Sequence, residues 1–300
     1  MPQPSADLIA VRAAVLAWYA TEHRDFPWRR TRDPYAVLVS EVMLQQTQAS
    51  RVAERYPTFL SRFPTVGALA AAAPASVLAA WSGLGYNRRA TALQAAARAV
   101  AERGWPGDVA GLERLPGIGP YTARAIASLA FGQPVGVVDT NVRRWLIRRF
   151  AVEDRPRRLQ ALADDLAARG SEADVDAWTH ATMEFGASIC RPRAPRCEVC
   201  PIAPGCPSRD AASPVVVPRQ PRLLGSDRAY RGAVIRELSA ARGHSLRERE
   251  ARRILDRDAE RIGPPVDDAA WSRILAGLER DGLAHRSRGR LRLGVATIGA

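Results

Sequence analysis

The sequence predicts an all-α fold for residues 1–206. Two observations support this prediction: apolar residues recur at intervals of three and four, the period of a helix, and Pro or Gly residues separate the apolar segments. No convincing run of alternating apolar and polar residues, which would predict a half-buried strand, interrupts them. The 300 residues, 47% of them hydrophobic, can form a substantial core and suggest about two domains with connecting segments.

Five helices can be placed in order in this part of the chain. The first carries an apolar stripe, and the third has a plausible N-cap. In chain order, the predictions are a stripe of Leu8, Val11, Val15 and Trp18, a helix over residues 35–48, a helix capped by Thr91, and helices over residues 121–131 and 141–150.

A linker and a small C-terminal module follow. Four prolines fall within residues 207–227, and because proline disfavours helix they mark a linker. Beyond it, the sequence predicts helices over residues 229–238, 245–255 and 267–280 and a basic hairpin over residues 283–293. Three helices and a hairpin suggest a winged-helix-like module at residues 228–300, which contacts DNA or a protein or only stabilises the chain.

The charge of the chain points to a polyanionic partner. The formal net charge is +13 and the pI about 10.8, and nucleic acid fits this excess best. Arginines also cluster locally, as at Arg143 and Arg144, which is what phosphate contacts need. All 44 basic residues are arginine, so no lysine can form a Schiff base with a substrate.

No targeting or membrane segment is expected. The first ten residues carry Asp7 and no basic residue, unlike a secretory signal or a transit peptide. The longest apolar region, residues 66–81, is broken by Pro74 and is too short to span a bilayer. We expect a soluble cytoplasmic protein that does not bind a membrane.

All four cysteines lie in one window with the spacing C-x6-C-x2-C-x5-C: Cys190, Cys197, Cys200 and Cys206. This spacing favours a [4Fe-4S] cluster, because a zinc ribbon usually has two short Cys pairs and only one is present here. Tetrahedral zinc is the main alternative, and two disulfides are the weakest one. Arg191 and Arg193 follow the first cysteine directly, so the loop is also cationic.

Two further segments carry candidate chemistry. Gly117 and Gly119 form a tight turn before a helix, where converging N–H groups and the helix dipole can hold a phosphate. About twenty residues later, Asp139 precedes the basic helix that contains Asn141 and Arg143. Asp139 is either the N-cap of that helix or a carboxylate at the phosphate-binding mouth, and both can hold at once.

This combination, Leu-Pro-Gly-x-Gly, then Asp139, then the four cysteines, resembles the helix-hairpin-helix DNA glycosylase superfamily. The resemblance implies a [4Fe-4S] cluster and two α-helical domains with double-stranded DNA bound in the cleft between them. It divides the chain into a six-helix barrel domain at 23–134, a cluster domain formed by 1–22 and 135–206, the linker at 207–227 and the winged-helix-like module at 228–300.

The segment Phe26-Pro27-Trp28-Arg29, followed by Asp33-Pro34-Tyr35 and residues 40–48, resembles the adenine DNA glycosylases, the MutY family. The endonuclease III branch has a catalytic lysine where this chain has Tyr121. A tyrosine at that place is found in part of the MutY family and in a related thymine-mismatch glycosylase.

Excision of adenine requires a general acid and a second carboxylate. Glu41 is the candidate acid, because it lies in the middle of an apolar helix where partial burial raises the pKa of a carboxyl group. A helix-surface charge is the weaker interpretation. Asp139 is the candidate to stabilise the positive charge that develops on the sugar, with Asn141 orienting it.

By resemblance, further residues contact a base that is flipped out of the duplex. Gln46 is the wedge in the base stack, Tyr86 stacks near the opposing purine, and Trp28 and Arg29 line the adenine pocket. Trp28 is equally well explained by core packing. His180 stands where family members usually carry Gln or Glu to read the adenine edge.

The resemblance therefore implies a monomeric, monofunctional adenine glycosylase that acts on adenine opposite 8-oxoguanine or guanine, with little or no strand cleavage. A thymine-type mismatch glycosylase and a non-catalytic DNA-binding homologue remain alternatives. The resemblance ends near residue 206, since the C-terminal part is too short and too helical for the Nudix-like domain that many family members carry.

Overall fold

The computed structural model describes residues 5–209 and 223–295. The chain forms two compact units. The first unit comprises Met1–Glu41, Pro106–Arg114 and Ile118–Pro218, and the second comprises Val42–Trp105, Leu115–Gly117 and Arg219–Ala300. Residues 210–222, which include most of the predicted linker, lie outside the described residues.

The described residues are mostly helical. The helices are α1 (Ser5–Glu22), α2 (Pro34–Leu44), α3 (Ala49–Arg62), α4 (Val66–Ala71), α5 (Pro74–Trp81), α6 (Arg88–Arg103), α7 (Val109–Glu113), α8 (Pro120–Leu129), α9 (Thr140–Phe150), α10 (Pro156–Ala168), α11 (Val175–Ser188), α12 (Asp227–Ala240), α13 (Glu248–Arg257), α14 (Ala259–Ile262) and α15 (Asp268–Arg280). Short 3-10 turns lie at Pro27–Arg30, Glu172–Asp174, Cys197–Val199 and Arg242–His244.

Helix α2 is apolar around its whole circumference. Its start is capped by Asp33, whose side chain accepts a hydrogen bond from the N–H of Ala36 at 3.0 Å. Val37, Leu38 and Val39 are all buried, and a helix that is hydrophobic all round is an interior helix. A polar side chain in the middle of α2 is therefore surrounded by apolar groups.

The core of the first unit is built from α1, α9, α10 and α11 around Trp145 and Phe185, whose rings meet edge to face with centroids 5.8 Å apart. The predicted stripe of α1 is confirmed, since Leu8, Val11 and Val15 are buried in this core. Such fully buried side chains each stabilise the fold by about 1.5–3 kcal/mol relative to exposure. The cysteine loop follows α11 directly and is thereby attached to this core.

In the second unit, α4 packs on α6 and α5 packs on α12. The C-terminal part adds a three-stranded antiparallel sheet in the order β1 (Ser245–Arg247), β3 (Arg290–Leu293), β2 (Ala284–Ser287). The hairpin β2–β3 turns through Arg288 and Gly289, both with positive φ, as a tight two-residue hairpin requires. Gly294 lies against Ala75 of α5, where an added Cβ would meet the Ala75 nitrogen at 3.2 Å.

The predicted elements agree with the structure in type over most of the chain, and no strand occurs within residues 5–209. Three details were wrong. The helix predicted to reach residue 48 ends at Leu44, before the left-handed Gln46. Thr91 is not an N-cap, because α6 begins at Arg88 after Asn87. Ser245–Arg247 is a strand, because it pairs with β3. None of the described helices has the length and apolar character needed to cross a membrane.

Candidate functional site

Glu41 is a buried carboxyl group of the first unit. Its side chain is 3% exposed in the apolar interior around α2. Burial raises the pKa of Glu41 to about 7, a hydrogen bond from Tyr121 opposes the rise, and the negative charge of Asp139 adds to it. The Oε2 atom of Glu41 is buried without a hydrogen-bond partner among the described residues. One oxygen of the carboxyl group is thus held, and the other is available to a ligand.

Tyr121 is the second residue of α8 and holds the phenol beside Glu41. Burial, together with the nearby charges of Glu41 and Asp139, raises the pKa of Tyr121 well above its ordinary value. The phenol therefore stays protonated and donates to the Glu41 carboxylate. Its oxygen also lies 3.7 Å from the Met183 Sδ.

Asp139 is the N-cap of α9. Its Oδ1 accepts hydrogen bonds from the backbone N–H groups of Asn141 at 2.8 Å and Val142 at 2.6 Å, and its Oδ2 accepts from Asn141 Nδ2 at 2.7 Å. Burial raises the pKa of Asp139 above its ordinary value, and these hydrogen bonds and the charge of Arg144 oppose the rise only in part. Arg144 Nη2 in turn donates to Asn141 Oδ1 at 2.9 Å, which fixes the amide orientation. The N-cap interpretation of Asp139 is confirmed, and the carboxylate also lies close enough to Glu41 to affect its pKa. A role of Asp139 at a phosphate-binding mouth stays a prediction.

The Arg29 side chain is engaged with Glu184, a carboxylate that the sequence analysis missed. Glu184 accepts from Arg29 Nη2 at 2.6 Å and from both Nε and Nη2 of Arg24, at 2.6 and 3.0 Å. Hydrogen bonds from Arg24, Ser188 and Arg29 outweigh burial and lower the pKa of Glu184 to about 2. The two arginines precede and follow the Phe26-Pro27-Trp28 string, so Glu184 holds that segment in place. The sequence does not indicate this role of Glu184, because its arginine partners lie 155 and 160 residues away along the chain.

His180 and Trp28 are both buried in the first unit. Burial, aided by the charge of Arg29, lowers the pKa of His180 to about 3, so its imidazole is neutral at physiological pH. A neutral imidazole both donates and accepts a hydrogen bond. Trp28 is 5% exposed and stacks on Phe26 with ring centroids 4.7 Å apart.

Gln46 and Tyr86 belong to the second unit and share an unusual backbone conformation. Their φ angles are 55° and 46°, in the left-handed region that non-glycine residues rarely adopt. Gln46 is exposed at the end of α2, and Tyr86 is half-buried. Arg228 Nη1 donates to the Tyr86 hydroxyl at 2.8 Å, and its guanidinium lies 5.3 Å from the ring centroid.

Arg89 supports both of these loops. Its Nη1 donates to the carbonyls of Val42 and Met43 at 2.9 Å and of Gln45 at 2.5 Å, at the end of α2. Its Nη2 donates to the carbonyls of the 84–85 turn at 3.1 and 3.0 Å, just before Tyr86. The sequence does not single out Arg89. It lies three residues after Tyr86, but in a chain with many exposed arginines this position does not indicate a supporting role.

The predicted phosphate turn has one position that only glycine can occupy. Gly117 has φ +73° and an added Cβ would lie 2.5 Å from the Cβ of Ala92, so only glycine fits there. Gly119 has extended backbone, is the N-cap position of α8 and has open space around it. Arg143 is paired with Asp154, its Nε lying 2.7 Å from Oδ1, whereas Arg191 and Arg193 are exposed.

The four cysteines line one small cavity together with apolar side chains that include Phe185, Ile189 and Ile202. No disulfide joins them, and burial raises the pKa of Cys200 to about 11 and also that of Cys190. Arg148 Nη1 lies 3.6 Å from Cys190 Sγ. Within residues 5–209 and 223–295, no three His, Cys, Asp or Glu side chains are arranged to ligate one metal ion.

Comparison with known proteins identifies similar sequences and folds. A family model described as HhH-GPD superfamily base excision DNA repair protein matches residues 39–168. An adenine DNA glycosylase of Mycolicibacterium smegmatis is 42% identical over 228 residues, covering 74% of this chain and 78% of the relative. One from Homo sapiens is 42% identical over 222 residues, covering 68% of this chain and 40% of the relative.

Among solved structures, a thermostable thymine-DNA glycosylase aligns with TM-score 0.63 and 29% identity, covering 68% of this chain and 97% of that one. A non-covalent endonuclease III–DNA complex aligns with TM-score 0.59 and 20% identity, covering 70% of this chain and 98% of that one. The predicted helix-hairpin-helix glycosylase fold is confirmed by these matches.

Proposed function

The chain belongs to the adenine DNA glycosylases, base excision repair enzymes of the HhH-GPD superfamily that hydrolyse N-glycosidic bonds, and we propose that it excises adenine mispaired with 8-oxoguanine or guanine in duplex DNA. The observation that carries this proposal is the pair of neighbouring carboxyl groups at Glu41, which is buried, and Asp139, which is half-buried. Glu41 has a pKa of about 7 and an oxygen without a partner among the described residues. A carboxyl group in that state can donate a proton at physiological pH.

In the proposed reaction, Glu41 donates its proton to a ring nitrogen of the flipped adenine. The C1′–N9 bond then breaks with its electron pair moving to the base, which leaves as neutral adenine. Tyr121 fixes the other side of the carboxyl group through its hydrogen bond. Because two neighbouring carboxyl groups disfavour double ionisation, the proton resides on Glu41 while Asp139 stays ionised.

Asp139 stabilises the positive charge that develops on the sugar. Burial raises the pKa of Asp139, but the hydrogen bonds from Asn141 and Val142 oppose this rise and favour the carboxylate. In this proposal the charge is in place before the bond breaks. Asn141 is therefore the residue that orients Asp139. Water then adds to C1′ and gives a proton to the Glu41 carboxylate, which leaves an abasic site and restores the acid. With no lysine in the chain, we propose little or no strand cleavage.

The contacts to DNA are assigned by analogy with the family. Gln46 and Tyr86 are proposed to enter the base stack, and their left-handed backbones, supported by Arg89, favour a fixed presentation. Neutral His180 is proposed to contact the adenine edge, with Trp28 and Arg29 beside the pocket. The 117–119 turn and the three exposed or partly exposed arginines Arg143, Arg191 and Arg193 are proposed to hold phosphates.

We propose that Cys190, Cys197, Cys200 and Cys206 hold a [4Fe-4S] cluster. All four line one cavity with apolar walls, and their C-x6-C-x2-C-x5-C spacing favours a [4Fe-4S] cluster over a single zinc ion. The bound cluster would supply a fixed anchor for the arginine-bearing loop and no step of the reaction. Iron and sulfide analysis of the purified protein tests this, and zinc at one equivalent without iron would contradict it.

The proposed function is tested by single-turnover base release from duplexes containing A:8-oxoguanine, A:G, T:G or A:T, each split into samples with and without hot alkali. We expect adenine release from the first two, with strand breaks only after alkali. Release from T:G would assign the protein to the thymine-mismatch branch, of which one solved structure has a similar fold. Binding without release of any base would identify a non-catalytic homologue.

A further inference from the structure

An open groove of about 800 Å³ in the C-terminal module is surrounded by arginines. It lies between the N-terminal part of α13 and the tip of the β2–β3 hairpin, within the second unit. Six arginines line it: Arg247, Arg249, Arg252, Arg253, Arg288 and Arg290. Glu248 and Asp256 are the acidic residues in its lining. The groove therefore carries a strong positive excess at neutral pH.

Four of these arginines have no carboxylate partner. Arg247, Arg249, Arg253 and Arg288 are exposed and make no side-chain hydrogen bond or ion pair within residues 5–209 and 223–295. Elsewhere in the same module, Arg273 pairs with Asp227 at 3.0 Å and Arg286 pairs with Glu279 at 2.9 Å. Exposed arginines without a partner among the described residues also occur outside the groove, at Arg242, Arg261 and Arg280. The groove arginines differ from these because they line one concave surface together.

The scaffold of the groove is held by polar contacts that leave those four guanidinium groups uninvolved. Trp271 Nε1 donates to Glu248 Oε1 at 3.1 Å, and the N–H of Glu248 donates to the carbonyl of Gly289 at 3.3 Å. Arg290 Nε donates to Ser245 Oγ at 2.8 Å, which ties β3 to β1. Helix α13 and the hairpin tip are consequently fixed to each other, and the cations sit on a built surface.

The chemistry of the lining selects among anionic partners. No exposed large apolar side chain lies in the groove, since the exposed ones of the described residues, which include Val199, Leu223 and Val295, lie elsewhere. A protein interface usually has a buried apolar or aromatic anchor at its centre, and a membrane-bound surface inserts apolar side chains. Arginine guanidinium groups pair with phosphate oxygens through two parallel hydrogen bonds.

We propose that this groove binds the sugar-phosphate backbone of duplex DNA, independently of base sequence. The groove would add a second anchoring surface to a protein that is proposed to contact the DNA bases through other residues. This inference rests on the proposed function only in taking DNA as the polyanion. Each arginine that neutralises a phosphate releases a counterion, so the contribution of the groove has a measurable salt dependence.

The test compares two triple variants that remove the same charge from the same module. The groove variant is Arg249→Ala/Arg253→Ala/Arg288→Ala, and the control is Arg242→Ala/Arg261→Ala/Arg280→Ala, whose exposed arginines lie outside the groove. Affinity for an undamaged fluorescent duplex is measured by anisotropy over a series of salt concentrations. The groove variant should bind about 10-fold or more weakly and lose about 2–3 from the slope of log K against log salt, and the control should lose less than about 1.

Single-turnover adenine release at saturating enzyme should be unchanged in the groove variant, which separates failure of this proposal from failure of the proposed chemistry. Equal effects of the two triple variants on the slope would overturn the proposal. So would a groove variant that loses affinity for polyglutamate of matched charge but not for the duplex. The charge-retaining Arg249→Lys/Arg253→Lys/Arg288→Lys variant should keep most of the slope. Loss of the slope in this variant, with an unchanged melting temperature, would overturn the proposal that these cations act by neutralising phosphates.

Discussion

The site around Glu41 and the arginine groove differ in how far their charged groups are exposed to solvent. In the first unit, Glu41 is buried and Asp139 is half-buried, and their hydrogen bonds come from neighbours such as Tyr121 and Asn141. In the groove, cations such as Arg249 and Arg288 are exposed and have no partner among the described residues. Burial shifts the pKa of a group so that it can transfer a proton, whereas exposure keeps a cation charged for long-range attraction. Chemistry and affinity should therefore respond to different substitutions.

Replacement of the acid should have the largest effect. Glu41→Gln keeps the size and the hydrogen bond from Tyr121 but removes the proton, so adenine release should slow by about 1,000-fold. Single-turnover kinetics at saturating enzyme measure this, and anisotropy should show duplex affinity retained. Base release within about 3-fold of the unsubstituted protein would assign the acid elsewhere.

Replacement of the second carboxylate comes next. Asp139→Asn retains a good N-cap for α9 but removes the charge that stabilises the sugar cation, so release should slow by about 100-fold. The melting temperature should change little, which separates this effect from unfolding. Asp154→Asn is the matched control, because it removes a nearby exposed carboxylate that pairs only with Arg143 among the described residues. Equal rates in the two variants would contradict the role of Asp139.

The pH dependence follows from the pKa of Glu41. With that pKa at about 7, the protonated fraction falls from about one half at pH 7 to about one hundredth at pH 9, so release should slow by about 50-fold. Rates should level off below pH 6. A flat profile from pH 6 to 9 would show that the proton comes from another source.

The same pKa predicts a change in stability. The folded pKa of Glu41 is raised from 4.5 to about 7, so the folded state binds the proton more tightly than the unfolded state. The contribution of Glu41 to stability is therefore present below pH 4.5 and lost as pH rises through 7, and it amounts to about 3 kcal/mol. Glu41→Gln should remove this loss, so that the variant unfolds at a higher temperature than the unsubstituted protein at pH 8. A lower unfolding temperature for the variant would contradict the raised pKa.

Arg89 is an intermediate case between the site around Glu41 and the arginine groove. It is a half-buried cation that neither transfers a proton nor lines the groove. Arg89→Ala should release the loops that carry Gln46 and Tyr86 and slow base release by about 10-fold through misplacement of those side chains. Single-turnover rates and amide hydrogen exchange of residues 44–47 and 84–86 measure the two effects. Arg88→Ala is the control, since Arg88 is exposed and lies 3.8 Å from Asp281. Unchanged exchange in Arg89→Ala would rule out a positioning role.

The two regions also differ in what the sequence predicts. The continuous apolar run of α2 predicts that Glu41 lies in an apolar interior, and the position of Asp139 directly before a basic helix predicts an N-cap, because these are local patterns. Glu184 is 160 residues from Arg24, and their pairing comes only from the fold. The groove could not be predicted from the sequence either. Residues 283–293 are recognisably a basic hairpin, but residues 245–247 were predicted as helix, so the third strand that pairs with β3 was not expected.

The smallest expected effect is at Arg228, a cation of the C-terminal module that is neither deeply buried nor in the groove. Its hydrogen bond to Tyr86 and its position over that ring restrict a side chain proposed to stack near the opposing purine. A hydrogen bond of this kind contributes about 0.6 kcal/mol or more, so Arg228→Met should reduce the preference for A:8-oxoguanine over A:G by about 3-fold. The ratio of single-turnover rates on the two duplexes measures it, with Arg261→Met as the control. If Arg228→Met lowered both rates equally, Arg228 would support the fold of the second unit and would not tune the reading of the opposing base.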